Sequence, residues 1–145
     1  MQLTEAELVR RLLVATVMGG LLGAERELRR KSAGFRTNIL IALGSAIFTI
    51  MSLTIAPNVD PSRIAAQIVT GIGFLGAGTI LRYRDRVHGL TTAATIWVNA
   101  ALGMAAGAGE YELAALGGAF TLGVLLLLGP LESFVERKVG AKRPD

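Results

Sequence analysis

The sequence has no cysteine, a single histidine and few charged residues. Without cysteine the chain can form no disulfide, no thiolate zinc site and no cysteine nucleophile. Charged residues make up 18% of its 145 positions, whereas about 25% is usual for soluble domains. This composition excludes a disordered chain and a coiled coil, and it leaves too little polar surface to cover a soluble globule.

Hydrophobic residues fill 52% of the chain and fall into five runs without charge, the longest being the 23 residues of Thr37–Val59. About 20 helical residues cross a hydrocarbon core of roughly 30 Å. The first run, Leu12–Ala24, is short, but Arg10 and Arg11 precede it and can extend to the headgroups. The pattern predicts an all-α polytopic membrane bundle of about five helices, forming one domain over 1–145 with no soluble domain. The predicted spans are approximately 6–27, 36–56, 62–82, 90–108 and 111–131.

The basic residues are distributed unevenly between the two sides of these predicted spans. Of the 15 lysines and arginines, 12 fall on the side where the first span ends, and Arg10, Arg11 and Arg63 fall on the other. Because positive charge accumulates on the cytoplasmic side, we predict an external N-terminus and a cytoplasmic C-terminus. The net charge of +4 therefore indicates topology rather than nucleic-acid binding. The basic loops are free to meet anionic lipid headgroups.

Two predicted spans carry polar residues that recur on one helix face. Because amides are costly in lipid, we expect both faces to point into the bundle. Interhelical hydrogen bonding is one interpretation, and a polar pathway or ligand site is the other. The residues are Thr91, Thr95 and Asn99, beside Thr92, in the fourth span, and Arg63, Gln67 and Thr70 in the third.

Glycine pairs spaced four residues apart predict close helix packing. Gly19 and Gly23 form one such pair, and Gly103 and Gly107 form another. Small residues at this spacing let two helix backbones approach closely in a membrane. They indicate tight packing within the bundle or, alternatively, homodimerisation through one of these faces.

The third span also matches the G-x-G-x-x-G dinucleotide pattern, at Gly71, Gly73 and Gly76. That fingerprint needs a preceding strand and an acidic residue about 20 positions further on. Here the glycines lie in an uncharged run of membrane length, and Asp85 is too near. We therefore interpret them as a helix with one thin side, or one partly unwound against a polar cavity.

The ends of the first and second spans bring a carboxylate close to arginines. We expect Glu25 to pair with Arg36 or Arg26, either as a solvated pair or as part of a buried pocket. His88 has no second imidazole nearby, and no nucleophile or nucleotide motif is present. We therefore expect no enzyme activity and no cofactor.

Four blocks of sequence are similar to the MgtC/SapB family of bacterial inner-membrane proteins. The resemblance implies a multi-pass inner-membrane protein linked to growth at low magnesium and, in pathogens, to survival inside host cells. It also implies that some members restrain the proton-translocating ATP synthase rather than carry magnesium. The best-known members have a soluble C-terminal domain, which we do not expect here. The blocks are residues 23–27 (GAERE), 33–37 (AGFRT), 71–78 (GIGFLGAG) and 89–97 (GLTTAATIW).

Carried over residue by residue, the resemblance adds to the candidate residues. We predict a regulator that lies in the bilayer, pairs with itself and binds another membrane protein such as the ATP synthase, without nucleic acid. The alternative is a transporter or channel subunit for Mg²⁺ or another ion. No pair of carboxylates lies within any of the uncharged runs, which gives a dehydrated Mg²⁺ pore little support, and the metal site is unknown. The predicted functional polar cluster is Glu25, Arg26, Arg36, Thr37, Thr91, Thr92, Thr95 and Asn99, and the predicted packing glycines are Gly19, Gly23, Gly34, Gly73, Gly76, Gly103 and Gly107.

Overall fold

Five helices and one short β-hairpin make up the part of the chain that the structure, a computed structural model, describes: residues 3–55, 60, 62–84 and 86–139. The elements follow one another without long connections. They are α1 (Glu5–Leu28), α2 (Phe35–Ile55), α3 (Ser62–Ala77), β1 (Leu81–Tyr83), β2 (Arg86–His88), α4 (Leu90–Ala108) and α5 (Tyr111–Val139).

Helix ends are fixed by local hydrogen bonds. The Thr4 hydroxyl accepts from the Glu7 N–H at 3.3 Å and caps α1, whose first turn is acidic, as the helix dipole favours. At the far end of α4, Gly109 adopts φ +89°, and the N–H of Glu110 donates to the Ala105 carbonyl at 2.9 Å. This left-handed glycine ends α4 and lets α5 begin two residues later.

The hairpin corrects the predicted third span. That span was expected to reach residue 82, but α3 ends at Ala77, and β1 and β2 pair antiparallel with Leu81 opposite His88. The helix stops because the Thr79 hydroxyl donates to the Gly76 carbonyl at 2.8 Å, closing the last turn. The arginine-rich segment that follows then pairs with itself instead of extending the helix. The described part of the chain is helical apart from this hairpin and the connecting turns.

Helices α1 and α4 both pack on α2 through their glycine pairs. A Cβ placed at Gly19 would lie 2.6 Å from the Asn38 carbonyl oxygen, and one at Gly107 would lie 2.6 Å from that of Ala46. Gly23 and Gly103 meet the α2 backbone in the same way. The glycine pairs therefore serve packing within the bundle, and neither face is open to a second copy.

The remaining two helices flank this three-helix centre. Helix α5 packs on α1 and α4, whereas α3 packs mainly on α4 and to a lesser extent on α2. Of the other predicted packing glycines, Gly76 approaches Ala93 of α4, with a Cβ position 3.5 Å from its carbonyl oxygen. Gly73 faces outward and would place a Cβ in open space, so it does not pack against the described residues.

Three described segments are long and apolar enough to cross a membrane: Phe35–Thr54, Leu90–Ala108 and Tyr111–Gly129. Helix α1 carries charges in both end turns, and α3 has 16 residues, so neither reaches the same length of uncharged helix. Helix α5 continues to Val139, eight residues past the predicted end at 131. Three spans are thus supported by helix length and apolarity.

Candidate functional site

An ion-pair cluster of the buried Glu25 and Arg26 with the exposed Arg29 forms where α1 ends. Glu25 and Arg26 have only 6% and 4% of their surfaces exposed. The Glu25 carboxylate lies 2.7 Å from the Arg29 Nε and 3.6 Å from an Arg26 terminal nitrogen. Two arginines therefore face one carboxylate, and this cluster carries a net positive charge. The sequence predicted the Arg26 partner but not Arg29, which lies one turn further on.

Arg26 connects this cluster to α4 and to the loop between α1 and α2. Its Nη2 donates to the Thr92 hydroxyl at 3.4 Å, within the buried interior. Thr92 also interacts with the Ser32 hydroxyl at 3.3 Å. Arg29 in turn donates to the Leu126 carbonyl of α5 at 3.3 Å. The end of α1 is thereby bonded to α4 and α5.

Two asparagines continue the polar interior deeper between α2 and α4. The Asn99 side-chain nitrogen donates to the Asn38 backbone carbonyl at 2.7 Å and to the Asn38 Oδ1 at 3.0 Å. Both asparagines are fully buried. The Asn38 amide also donates to the Gly34 carbonyl at 3.1 Å, and Thr95 donates to the Thr91 carbonyl at 2.7 Å. Buried amides that bond across two helices fix the relative position of those helices.

Several atoms of this polar interior keep unused hydrogen-bonding capacity. Both carboxylate oxygens of Glu25, the Nε of Arg26 and the Oδ1 of Asn99 are buried and accept or donate no hydrogen bond of ordinary geometry among the described residues. The close approach of Arg29 to Glu25 is therefore an ion pair of short distance but poor angle. Atoms with open capacity in a buried site can bind a small polar group.

Three predicted members of the cluster lie outside it. Arg36 and Thr37 are exposed on the first turn of α2, and Thr91 is exposed at the start of α4. Neither Arg36 nor Thr37 contacts Glu25, because the first turn of α2 points them away from α1. Thr91 takes part only through its carbonyl, since the buried face of α4 is centred on Thr92, Thr95 and Asn99. Whether any of these residues is needed for function stays a prediction.

Sequence reasoning overlooked the α2 side of the site. Asn38, Ser45 and Ser52 are buried on one face of α2 at intervals of seven residues. That interval corresponds to about two helical turns, so the three polar residues share one buried face of α2, on which Asn38 meets Asn99 of α4. Counting polar rather than apolar periodicity in the second span would have found it.

The loop before α2 holds the last predicted glycine. A Cβ at Gly34 would overlap the Glu27 carboxylate. That carboxylate accepts from the Phe35 N–H at 3.2 Å and so caps the start of α2. Gly34 thus makes room for a capping side chain from α1 rather than for a facing helix.

A second polar network lies at the opposite end of the bundle. Arg11 is buried, contrary to the expectation that it reaches the headgroups, and its Nη1 donates to the Gly107 carbonyl at 2.7 Å. Its Nε donates to Glu7 at 3.0 Å, and the Tyr111 hydroxyl donates to the same carboxylate oxygen at 2.6 Å. Arg11 therefore binds a free carbonyl at the C-terminal end of α4, where a positive charge is favourable.

Metal coordination requires several ligating side chains that lie close together. None of the residues that the structure describes form a group of three or more histidine, cysteine, aspartate or glutamate side chains that could hold a metal ion. Glu25 is the one buried carboxylate in that part of the chain, and its neighbours are arginines. The polar interior is therefore suited to anions or neutral groups more than to a bare divalent cation.

The sequence profile of the MgtC family matches residues 12–134, which include the whole polar interior from Glu25 to Asn99. The chain belongs to the MgtC family. This membership confirms the resemblance seen in the sequence. With three helices able to cross a bilayer, this member of the MgtC family is a membrane protein.

Relatives within the MgtC family align with most of the chain. An Escherichia coli K12 protein named "Putative magnesium transporter YhiD" is 51% identical over 128 residues, covering 83% of this chain and 60% of that protein. Protein MgtC of Brucella abortus is 48% identical over 122 residues, covering 84% and 51%. Protein MgtC of Salmonella typhimurium is 52% identical over 101 residues, covering 70% and 43%. The chain thus spans about half the length of these relatives. No solved structure matches it.

Proposed function

We propose that this protein is a multi-pass regulator in the bacterial inner membrane that supports growth at low magnesium by binding another membrane protein. The proton-translocating ATP synthase is the partner we propose, following the family resemblance. The magnesium connection draws on the name of the Escherichia coli relative and on family membership. All five helices cross the membrane in this proposal, with the N-terminus outside.

The charge of the buried site carries the choice of a regulator over a magnesium carrier. Glu25 is compensated by both Arg26 and Arg29, at 3.6 Å and 2.7 Å. A dehydrated Mg²⁺ needs several oxygen ligands and repels fixed positive charge. Two guanidinium groups beside a single carboxylate would oppose the entry of a divalent cation. Backbone contacts at Gly19 and Gly103 also leave little space between α2 and its neighbours.

The partner-facing surface in this proposal is the basic end of the bundle, where the polar cluster is joined to α5 through Arg29. Exposed positive side chains surround that cluster, among them Arg30, Lys31 and Arg36. A partner with acidic groups near the membrane surface would meet complementary charge there. Binding at this end would act directly on the buried Glu25 cluster through Arg29, which bonds both Glu25 and α5.

Two assays on the same purified protein test the regulator proposal. Co-reconstitution with ATP synthase should lower ATP-driven proton pumping, whereas liposomes holding this protein alone should show no Mg²⁺ flux above empty liposomes. In cells, Glu25→Gln should abolish growth support at low magnesium without lowering membrane level, because the two arginines lose their counter-charge. Glu112→Gln, a change at an exposed carboxylate on α5, is the matched control and should behave like the parent.

Transport is the second candidate function, since the Escherichia coli relative carries a transporter name and Asn99 and Glu25 have open acceptor atoms. Mg²⁺ flux that is saturable and lost in Glu25→Gln would favour it. Unchanged proton pumping together with such flux would overturn the regulator proposal.

A further inference from the structure

Helix α3 has two faces of different character. Ile72 and Gly76 are its buried residues, and with the half-buried Ile68 they pack against the rest of the bundle. Turned by about half a revolution from these lie Gln67, Thr70 and Phe74, since 3.6 residues complete a turn. All three are exposed, and Phe74 keeps 81% of its surface uncovered. The polar stripe predicted to point into the bundle therefore points out of it.

The exposed surface of α3 is too apolar to lie in water. Besides Phe74, the exposed surface of α3 includes Leu75 at 52% and Val69 at 43%. The segment from Ile64 to Leu81 carries no charge, and α3 packs on the membrane-length helices α4 and α2. A helix this apolar on its open side belongs in the membrane.

The outward face of α3 also carries a polar amide that would be unpaired in lipid. The Thr70 hydroxyl is satisfied within its own helix, since it donates to the Ala66 carbonyl at 3.0 Å. The Gln67 amide makes no hydrogen bond with any described residue, and its two donors and one carbonyl would be left unpaired in hydrocarbon. Such a group costs free energy until another protein surface pairs with it. The outward face of α3 therefore requires a protein cover.

The face is complementary to itself. An amide both donates and accepts, so two Gln67 side chains related by a two-fold axis can satisfy each other. One turn further on, Gly71 has open space where a Cβ would lie, so two backbones can approach closely. One turn earlier, Arg63 follows Asp60, and both are exposed, which places opposite charges where two parallel copies would meet. Hydrogen bonds from the Ser62 N–H and hydroxyl lower the pKa of Asp60 below its usual value, so this carboxylate is charged at neutral pH.

We propose that two copies of this chain pair through the outward faces of α3, with Gln67 bonded to Gln67 of the second copy about a two-fold axis along the membrane normal. The interface rests on α3 crossing the membrane and is independent of the regulator role. It replaces the dimer contacts predicted at Gly19 and Gly103, because both of those glycines are already covered by α2.

Single cysteines in native membranes test the location of the interface, because the chain has none of its own. Oxidation should produce disulfide-linked dimers from Gln67→Cys and Gly71→Cys, whose side chains face the axis. Val69→Cys, exposed on another side of α3, and Gly123→Cys, on α5 with open space where a Cβ would lie, are matched controls and should stay monomeric. Efficient cross-links at Gly123 but not at Gln67 would overturn the proposal, and so would a cross-link of Gln67→Cys only to a different protein.

A substitution tests the energetic role of the amide. Gln67→Leu should raise the dimer dissociation constant in mild detergent about tenfold, while Gln67→Asn should keep part of the affinity. Phe120→Leu on the exposed face of α5 should leave the dimer unchanged. A dimer of parental strength in Gln67→Leu, or a monomer in both lipid and detergent for the parent, would overturn the interface.

Discussion

Helices α3 and α4 carry similar polar stripes, yet one stripe is exposed and the other is buried. Gln67 and Thr70 of α3 face away from the bundle, whereas Thr92, Thr95 and Asn99 of α4 are enclosed by α1 and α2. Helix α4 packs on all four other helices, whereas α3 packs on α4 and α2. Polar periodicity therefore identifies which residues share a helix face, and the number of neighbouring helices decides whether that face is satisfied within one chain.

Glycine substitutions on α4 and α3 should show the largest difference in their effect on stability. Gly103→Leu places a side chain on the Ala42 backbone of α2, which cannot move without separating the helices, and it should cost more than about 4 kcal/mol. Gly73→Leu on α3 enters open space and should change stability by less than about 1 kcal/mol. Unfolding in mixed detergent micelles, followed by the fluorescence of the single tryptophan, Trp97, measures both.

Equal destabilisation by the two leucine substitutions would contradict the central position of α4. It would also mean that Gly73 packs against protein in the folded molecule.

The second-largest difference in stability should separate the amide substitutions on α4 and α3. Asn99→Leu removes two hydrogen bonds and leaves the Asn38 oxygens unpaired, and it should destabilise the monomer by about 2 kcal/mol. Gln67→Leu should leave monomer stability unchanged or slightly improved, because its amide has no partner within the chain. The measurement is the same unfolding curve, recorded at a protein concentration that keeps both variants monomeric. A loss of stability in Gln67→Leu alone would reverse the assignment of the two stripes.

Threonine substitutions on α4 and α3 should show the smallest difference in their effect on stability. Thr92→Val removes the acceptor of Arg26 and should cost about 1 kcal/mol. Thr70→Val removes only a bond to its own helix, so we expect a change below about 0.5 kcal/mol. If both variants unfold at the same detergent fraction as the parent, the bond between Arg26 and Thr92 adds nothing to stability.

Much of the helical arrangement could be predicted from the sequence. The predicted spans placed the starts of all five helices within one residue, because hydrocarbon thickness and charge cost act on composition directly. The hairpin was missed because Leu81 and Tyr83 continue an apolar run that looks helical by length alone. Their alternation with Arg82 and Arg84 is a strand pattern, and it was the available signal.

The candidate site was predictable only along single helices. The pairing of Glu25 with Arg26 and the burial of Thr95 and Asn99 follow from residue spacing and the cost of lone charges. The separation of Arg36 from Glu25 depends on how α2 turns away after Gly34, which no spacing encodes. Contacts between helices, such as Arg29 with the Leu126 carbonyl, depend on the packing of the whole bundle.

The asparagine pair also sets an order for assembly during synthesis. Asn38 of helix α2 is synthesised 61 residues before Asn99, so it must enter the bilayer without its partner. At that stage its side-chain nitrogen already donates to the Gly34 carbonyl of the preceding turn. The Asn38 oxygens still lack the donor that Asn99 later provides. Insertion of α4 then supplies the missing donor. A chain interrupted before residue 99 would hold α1 and α2 as a hairpin with an unpaired acceptor in lipid.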